Sequence, residues 1–386
     1  MVSKWNEPGK IMNILLAPDK FKGTLSAQRV CELMERGLGQ VLPEANIVSC
    51  PIADGGDGFA EVLRAQLGGE WVECQAHDAL GRPLLARYAL CGDSAVMEMS
   101  EASGMRHIPE GMADIWSANT LGTGEMMRHA IEHHDVRRII MGIGGSVSND
   151  AGCGMAVALG VRFFDAAGER LEPMPKNLMQ CASIDDSERI RLPEILVACD
   201  VDNPLLGSEG AVRVYGPQKG ASQDDIEPLE KLLSHIVDLS KGGDAAELPG
   251  AGAAGGLGFG LLQFGGAQLV SGFELVAAET GLLEKIRGCD VVITGEGKLD
   301  AQTLHGKGPA GVASMARAAG KRVAVIAGLV ELAGYASAEA AELFDHICAV
   351  HDGSRPLEQT IRCGEALLME KSAELARELG AISGAS

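Results

Sequence analysis

Short apolar runs alternate with amphipathic helical patterns along most of this chain, and this alternation constrains the fold more than any other feature. A helix is predicted over 26–38, for example, with Ser26 as its N-cap. Such alternation builds βαβ units, so the sequence predicts an α/β protein with mostly parallel sheet. Strands are predicted at 12–17, 47–52, 137–143, 195–199, 291–294 and 323–327.

The stretch from residue 70 to 115 departs from this pattern. Strands predicted over 71–75, 84–90 and 95–99 are joined by turn signals, which is typical of a meander. A length of 386 residues suggests two or three domains of roughly 150 residues each. We therefore expect the mixed α+β section to belong to an inserted domain.

Glycine is unusually common, with 51 of the 386 residues, or about 13% against roughly 7% in an average protein. Glycine is needed where a backbone takes positive φ or approaches another group closely. Many of these glycines follow predicted strands. In open α/β sheets, ligands bind beyond the carboxyl ends of the strands, so the residues after each strand are the first candidates for a functional site.

Three of these loops carry features typical of anion or metal sites. Lys20 and Lys22 precede a helix N-terminus, and ammonium groups and free helix N–H groups together bind anions. Asp54 and Asp57 are separated by glycines, and carboxylate oxygens suit Mg²⁺. The run GGSVSND at 144–150 joins a strand to a helix and predicts a phosphate cradle of backbone N–H groups. For each loop, the alternative is an ordinary solvated turn or helix cap.

Two further strand ends carry acidic residues. Asp200 and Asp202 would point to the same side if their strand continued, the alternative being an Asx turn before a proline. Glu296 and Asp300 follow another strand, with Lys307 a little further on. Five such loops in one chain predict a shared cleft with phosphate, metal and carboxylate chemistry. That combination is typical of phosphoryl transfer, in which positioning and charge neutralisation do most of the catalysis.

Charge and motifs exclude several classes. A net charge of −20 opposes binding to nucleic acid. No apolar run reaches the roughly 18 residues that span a bilayer, so no membrane partner is expected. The ten cysteines are scattered, which favours buried thiols in a reducing cytoplasm. Two G-x-G-x-x-G matches, at 250–255 and 306–311, do not directly follow predicted strands and are discounted as dinucleotide sites.

Eight distinctive segments occur in order along the chain: APDKFKGTLSA (17–27), ADGGDG (53–58), LGTGE (121–125), GGSVSNDAG (144–152), CDVDNPL (199–205), YGPQKGA (215–221), GAAGGLG (252–258) and TGEGKLDAQTLHGK (294–307). Together they resemble those of bacterial glycerate kinases of the class I type. Val147 and Ser148 stand where that family more often has Ala-Thr, and Ser148 keeps the hydroxyl.

The resemblance implies in-line phosphoryl transfer from ATP to D-glycerate with Mg²⁺. It favours the C2 hydroxyl, giving 2-phosphoglycerate, with 3-phosphoglycerate as the alternative. It also implies two α/β domains with the active site in the cleft between them. We expect a discontinuous Rossmann/flavodoxin-like parallel-sheet domain over 12–68 and 286–380, and an inserted mixed α/β domain over 69–285.

Roles for individual residues follow as hypotheses. Asp200 is the leading candidate for the catalytic base, with Asp202 close behind, and Lys20 and Lys22 are expected to neutralise charge on substrate or phosphate. Two other functions stay open, an NAD-dependent hydroxy-acid dehydrogenase and a non-catalytic sugar-acid binding protein. Phosphate or nucleotide binding is expected of Gly144, Gly145, Ser146, Asn149, Glu296 and Lys307, and metal binding of Asp54, Asp57 and Asp300, with Glu296 and Asp300 as alternatives for metal or base functions.

Overall fold

A computed structural model describes residues 11–304 and 308–381 of the chain. Lys307, a predicted nucleotide-binding residue, lies outside the described residues. Within them, no helix combines the length and the apolar character that crossing a membrane requires. The strands are β1 (Asn13–Leu16), β2 (Asn46–Ser49), β3 (Glu70–His77), β4 (Pro83–Cys91), β5 (Ser94–Glu98), β6 (Arg138–Gly142), β7 (Arg162–Asp165), β8 (Cys181–Asp185), β9 (Glu194–Ala198), β10 (Gln268–Val270), β11 (Val291–Leu299), β12 (Arg322–Val330) and β13 (His346–Ala349).

Helices alternate with these strands, and short 3₁₀ turns occur at Met105–His107 and Pro217–Lys219. The helices are α1 (Ala27–Gly39), α2 (Phe59–Leu67), α3 (Ser100–Ser103), α4 (Leu121–His134), α5 (Cys153–Ala158), α6 (Pro175–Leu178), α7 (Ala211–Tyr215), α8 (Gln223–Ser240), α9 (Gly243–Glu247), α10 (Ala253–Gln263), α11 (Gly272–Glu279), α12 (Leu282–Gly288), α13 (Pro309–Ala318), α14 (Tyr335–Leu343), α15 (Leu357–Arg362) and α16 (Gly364–Ala381).

The chain divides into two compact units. Unit 1 consists of Met1–Ala53 and Phe273–Ser386, and unit 2 of Asp54–Gly272. One unit is therefore built from both ends of the chain. The domain boundaries expected from the sequence, after residues 68 and 285, lie further along the chain than these two divisions and stay a prediction.

Unit 1 contains a five-stranded parallel sheet in the order β2-β1-β11-β12-β13. Numbered within the unit, this is the flavodoxin-like order 2-1-3-4-5. Alternating side chains of β1 enter two different cores: Leu15 packs with α12 and α13 residues, whereas Ile14 and Leu16 pack with α1 and α16 residues. The sheet is thus covered on both faces, and the predicted α/β class is confirmed.

Helix α1 begins where the sequence predicts. The Ser26 hydroxyl accepts a hydrogen bond from the Arg29 N–H at 3.3 Å, which satisfies one of the free donors of the first turn. Val30, Leu33 and Met34 are buried on one face of the helix. Because these positions recur at helical spacing, the amphipathic pattern in the sequence locates the helix correctly.

Unit 2 contains a six-stranded mixed sheet in the order β10-β9-β6-β5-β4-β3. Strands β3, β4 and β5 form the predicted antiparallel meander. Strands β5, β6, β9 and β10 are parallel, so their carboxyl ends lie at one edge of the sheet. The hairpin of β7 and β8 is a separate two-stranded sheet that the sequence analysis did not predict.

The glycine-rich segment 250–260 leads into α10 and packs very closely on the loop after β6. A Cβ on Gly260 would lie 2.6 Å from the Ala151 carbonyl oxygen, and one on Gly256 would lie 2.8 Å from the Ala151 Cα. Of the two structures expected for this segment, a flexible loop or a closely packed helix, the close packing is confirmed, but Ala254, Gly255 and Gly256 have φ values of 54°, 67° and 85°, so the regular helix begins only after Gly256. The glycines are needed because any side chain would separate the two backbones.

Candidate active site

In unit 1, the loop after β1 lies beside the middle of β11. The Asp19 N–H donates to the Gly295 carbonyl at 2.8 Å, and the Phe21 N–H donates to the Leu25 carbonyl at 2.9 Å. This tight turn leaves Lys20 half-buried and Lys22 exposed. In the order 2-1-3-4-5, β1 and β11 flank the position where the connections reverse direction, and ligands of such sheets bind beyond this position.

Glu296 is a carboxyl of unit 1 with a strongly raised pKa. Its side chain is largely buried at the carboxyl end of β11, and burial raises the pKa to about 7, with the charges of Asp19 and Asp300 raising it further and a hydrogen bond from Thr303 opposing the shift. Its Oε1 atom is buried without a hydrogen-bond partner among the described residues. A carboxyl group that titrates near pH 7 suits acid–base or ligand-binding work.

Asp300, a predicted metal ligand, has partners of its own in unit 1. One carboxylate oxygen accepts a hydrogen bond from the Gln302 N–H at 2.9 Å, and the other lies 3.3 Å from the Lys298 ammonium. The same ammonium lies 2.8 Å from the Glu331 carboxylate. Lys298 thus compensates for the charge of Asp300, which makes this carboxylate less suited to a metal ion than the sequence suggested.

Unit 2 contains a cavity of about 280 Å³ at the carboxyl edge of its sheet. The loops that follow β6 and β9 and the start of α10 form its walls, together with α7 and the 3₁₀ turn after it. Five of the predicted site residues share this cavity. Its lining residues are Asp54, Gly55, Gly56, Ile143, Gly144, Gly145, Ser146, Ala198, Cys199, Asp200, Val201, Tyr215, Gln218, Lys219, Ala253 and Ala254.

Glycines bring the walls of this cavity together. Gly55 has a φ of +81°, and a Cβ there would lie 2.8 Å from the Ala198 Cβ. A Cβ on Gly144 would lie 2.8 Å from the Gly56 Cα. The Gly144 N–H donates to the Gly55 carbonyl at 3.3 Å. The two loops therefore lie too close for side chains, which explains why both segments are rich in glycine.

Two acidic residues predicted from the sequence line this cavity. The Asp54 carboxylate accepts a hydrogen bond from the Gly56 N–H at 3.1 Å. The Asp200 carboxylate accepts from the Gly272 N–H at 3.0 Å and from the Ser271 hydroxyl at 3.4 Å. Their donors hold the two carboxylates at the edge of the sheet where the strands end.

Asp202 does not line this cavity and is exposed. The expectation that it would point to the same side as Asp200 required the strand to continue, but β9 ends at Ala198. The side chains of Asp200 and Asp202 are therefore not constrained to one side by the alternation of a strand.

Asp57 belongs to a charged network that the sequence analysis missed. Its carboxylate accepts a hydrogen bond from the Ser100 hydroxyl at 3.2 Å and lies 3.8 Å from the Arg106 guanidinium. Arg106 also lies 3.2 Å from Glu98 and 3.4 Å from Glu101. In the sequence, this network is visible only as acidic residues and an arginine near the end of a predicted strand. That pattern is too common to indicate a network. This network weakens the assignment of Asp57 to a metal ion, because Arg106 already compensates for its charge.

Glu98 anchors the start of α2 from the end of β5. Its carboxylate accepts hydrogen bonds from the N–H groups of Gly58 at 3.0 Å and Ala60 at 2.9 Å. Burial raises the pKa of Glu98, while the Ala60 N–H and the charge of Arg106 oppose that shift. A carboxylate at a helix N-terminus is favourable, and here it holds the loop that carries Asp54 and Asp57.

Asp150 ties the loop after β6 to two helices. Its buried carboxylate accepts hydrogen bonds from the Thr120 N–H at 2.8 Å, the Thr120 hydroxyl at 2.7 Å, the Gly154 N–H at 2.9 Å and the Gly152 N–H at 3.2 Å. Burial raises the pKa of Asp150, and these hydrogen bonds oppose the shift. Since Thr120 precedes α4 and Gly154 belongs to α5, one carboxylate fixes both helix starts and the end of the predicted phosphate loop.

Lys219 is a lining residue that the sequence analysis quoted only within YGPQKGA and did not select. The side chain is 1% exposed, and its ammonium donates to the Ser148 carbonyl at 2.7 Å. Burial lowers the pKa of Lys219 to about 7, and the charge of Asp150 opposes this shift. Nothing in the sequence around Lys219 indicates that its side chain is buried, so only the tertiary structure identifies it as a buried lysine. Asn149, a predicted phosphate ligand, is wholly buried nearby and is not among the lining residues.

The acidic residues of unit 2 fit a magnesium ion in part. Within residues 11–304 and 308–381, no group of three or more His, Cys, Asp or Glu side chains is arranged to hold a metal. Mg²⁺, however, is usually bound by one or two carboxylates plus water and substrate phosphates. Asp54 and Asp200, which line one cavity, meet that requirement. Asp300 belongs to the other unit.

Comparisons with known proteins agree with the sequence and the fold. A glycerate kinase of Halalkalibacterium halodurans is 43% identical over 82% of this chain and 85% of its own length. A glycerate 2-kinase of Escherichia coli K12 is 42% identical over 82% of this chain and 85% of its own length. A crystal structure of a protein from Salmonella typhimurium LT2 that carries the name glycerate kinase 2 has a TM-score of 0.85 and 39% identity, covering 96% of this chain and 99% of that chain. The family model described as "Glycerate kinase family" matches residues 14–380, and the chain belongs to that family.

Proposed function

We propose that this protein transfers the γ-phosphoryl group of ATP to D-glycerate in a direct in-line reaction that requires Mg²⁺. The observation that carries the proposal is the unit 2 cavity, in which a glycine-rich loop, two carboxylates and a buried lysine occur together. Phosphoryl transfer needs this combination, because the protein mainly positions the reactants and neutralises charge. Membership of the glycerate kinase family supports the choice of substrate.

The loop after β6 suits phosphate binding. Gly144, Gly145 and Ser146 line the cavity, and Gly145 has a φ of +76°, which an L side chain rarely adopts. Backbone N–H groups in glycine-rich loops of this kind bind phosphate oxygens without a side chain in the way. We assign these three residues to the phosphates of the nucleotide, and Asn149 to the support of their loop.

The carboxylates of unit 2 divide the remaining roles. Asp200 is positioned by the Gly272 N–H and the Ser271 hydroxyl, and we assign it as the base that accepts the proton of the glycerate hydroxyl. Asp54 would hold Mg²⁺ together with water and the phosphates of ATP, whose charge the ion neutralises when bound. Asp57 remains a candidate for the same ion, and Asp202 a weaker candidate for the base.

Unit 1 supplies a second group of candidates. Lys20 and Lys22 follow β1, and Glu296 lies within β11, which extends beyond the predicted end at residue 294, with a pKa of about 7 caused mainly by burial. We assign the lysines to anionic groups of glycerate or the phosphates, and Glu296 to nucleotide binding. Asp300 is the least supported metal candidate because Lys298 compensates for its charge.

A coupled assay of ADP release tests the proposal. The purified full chain is given ATP, Mg²⁺ and D-glycerate, and we expect ADP to form only when all three are present. Omission of Mg²⁺ with excess chelator is the control for the metal. No ADP release above the ATPase background would refute the proposed function.

The position of phosphorylation needs a separate measurement. We propose the C2 hydroxyl, in agreement with the name of the Escherichia coli relative, a glycerate 2-kinase. Phosphorus-coupled NMR of the product distinguishes 2-phosphoglycerate from 3-phosphoglycerate. A product phosphorylated at C3 would overturn this part and leave the kinase assignment intact.

The two alternative functions have little support. The dinucleotide-like glycines at 250–255 do not follow a strand, and Gly255 is in contact distance of the Ser148 backbone rather than open to a ligand. A flat titration with NAD(H), beside a clear response to ATP, excludes the dehydrogenase. Turnover with glycerate excludes a binding protein without activity.

A further inference from the structure

We infer that Lys219 binds the oxyanion that enters the unit 2 cavity, either a phosphoryl group or a carboxylate, and is therefore a further ligand-binding residue. This inference rests on the proposed function, whose substrates provide oxyanions of both kinds. It concerns a residue that the sequence analysis did not assign.

The backbone around Lys219 brings its side chain into the molecule. Lys219 ends the 3₁₀ turn Pro217–Lys219, and Gly220 follows with a φ of +94°. A Cβ on Gly220 would lie 3.0 Å from the Ala113 carbonyl oxygen, so the turn packs closely on a neighbouring loop. The lysine therefore lies in the cavity wall that also includes Gly144, and only 1% of its surface is exposed.

The ammonium of Lys219 is short of acceptors. It has three N–H groups, and over residues 11–304 and 308–381 the Ser148 carbonyl is its hydrogen-bond acceptor, while no carboxylate forms an ion pair with it. The charge of Asp150 acts on it and raises its pKa, but the oxygens of Asp150 already accept four hydrogen bonds. A buried cation without a paired anion is costly, and a bound oxyanion would supply the missing partner.

Two neighbouring side chains point to a ligand independently. In the described part of the chain, the Ser148 hydroxyl and both amide atoms of Asn149 are buried without hydrogen-bond partners. Both residues are wholly buried. Buried polar atoms in folded proteins nearly always have partners, so these two side chains, next to an ammonium that has one acceptor, are typical of a site that a ligand completes.

The titration of Lys219 gives the inference a measurable signature. Burial lowers its pKa to about 7, so at pH 8 the amine is mostly neutral. Because an oxyanion stabilises the ammonium form, binding at pH 8 should draw a proton onto Lys219, and binding at pH 6 should not. The other titratable residues in the cavity walls and beneath them are Asp54, Asp150, Cys199, Asp200 and Tyr215.

Calorimetric titrations of the metal-free full chain at pH 6 test the inference. The probes are sulfate, whose charge is constant in this range, ADP and D-glycerate. The variants are Lys219→Met, which is unbranched and only one atom shorter but has no ammonium, and, as the matched control, the same substitution at an exposed lysine of α8, Lys231→Met. We expect Lys219→Met to bind at least one probe ten-fold or more weakly and Lys231→Met to match the wild type.

The pattern of loss identifies the oxyanion. Weaker binding of sulfate and ADP assigns Lys219 to a phosphoryl group, and weaker binding of D-glycerate alone assigns it to the carboxylate. Both results support the inference. Wild-type affinity for all three probes in a folded Lys219→Met variant overturns it, as does a wild-type chain that binds none of them.

A measurement on the wild type covers the case in which Lys219→Met does not fold. Titrations with the tightest-binding probe at pH 8, in two buffers of different ionisation enthalpy, give the protons taken up on binding. Uptake of about half a proton or more supports the inference, and no uptake overturns it. ADP release by the wild type decides the proposed function separately. If the wild type turns over and Lys219→Met binds the probes with unchanged affinity, only the inference is refuted. If probe binding depends on Lys219 but the wild type does not turn over, only the proposed function is refuted.

Discussion

Replacing Asp150 by alanine should destabilise unit 2 more than any ordinary change in a loop. The carboxylate accepts hydrogen bonds from three backbone N–H groups, those of Thr120, Gly152 and Gly154, and from the Thr120 hydroxyl. Each buried donor left unsatisfied costs about 1–3 kcal/mol, which gives roughly 3–9 kcal/mol for the three N–H groups. Removing the carboxylate also removes the cost of burying it, which is what raises the pKa of Asp150, and this offsets part of the sum. We expect a net loss of about 4 kcal/mol.

Asp165→Ala is the matched control. Asp165 also accepts two backbone hydrogen bonds, from Ala167 and Glu169, both at 2.9 Å, but in an exposed turn of the same unit. Water replaces its carboxylate there, so the expected loss is about 1 kcal/mol or less. Asp150→Asn should fall between the two variants, because the amide keeps one oxygen that can serve Thr120 and Gly154 while its NH₂ group faces the Gly152 N–H.

Tryptophan fluorescence during urea unfolding reports this difference for unit 2. Trp71 and Trp116 both belong to that unit, and a Trp5→Phe background removes the remaining tryptophan. A free energy of unfolding for Asp150→Ala within about 1 kcal/mol of that for Asp165→Ala would refute the reasoning. It would mean that the donors around residue 150 find other acceptors when the carboxylate is absent.

Three further predictions concern the glycine-rich loops and unit 1. Gly255→Ala would place a Cβ 2.0 Å from the Ser148 carbonyl oxygen, so calorimetry should show a loss of at least about 2 kcal/mol beyond Gly266→Ala, which has a similar φ and open space around it; equal losses would contradict this. Because the folded state raises the pKa of Glu296, its protonated form contributes to folding stability. This contribution is complete below pH 4.5 and is lost as the pH rises through about 7. The free energy of unfolding of Glu296→Gln, relative to that of the wild type, should therefore be higher at pH 8 than at pH 5 by up to about 3 kcal/mol. A difference between the two proteins that does not change with pH would exclude the pKa shift. Lys22→Ala should lower kcat by hundreds-fold or more, equivalent to about 3–5 kcal/mol of transition-state stabilisation, with an unchanged melting temperature; near-normal turnover would refute its assignment.

Much of the fold could be predicted because its signals are local. A strand such as Asn13–Leu16 and a helix such as Ala27–Gly39 have apolar periodicities that a short window reveals. The carboxyl ends of parallel strands lie together, so the loops that carry Gly144 and Asp200 could be selected before any distance was known. The weaker signals were missed, among them the hairpin of β7 and β8, whose pairing has a register shift.

The candidate site depended more on tertiary structure. Asp202 is as acidic as Asp200, yet only Asp200 lines the cavity, because β9 ends at Ala198. Asp57 and Asp54 occur in one short loop, but Asp57 lies beside Arg106, whose position no local pattern reveals. Which of several similar residues reaches a site depends on where a strand ends and on what packs against it.

The sequence alone determined the α/β class, the candidate loops of the proposed site and the family to which the chain belongs, because all of these are patterns in the order of residues. Tertiary structure decided the flavodoxin-like strand order of unit 1 and the pKa shift of one buried side chain in each unit. Lys219 and Glu296 both titrate near pH 7 because residues distant in sequence exclude water from them. Desolvation is a property of the packed molecule, and no sequence window contains it.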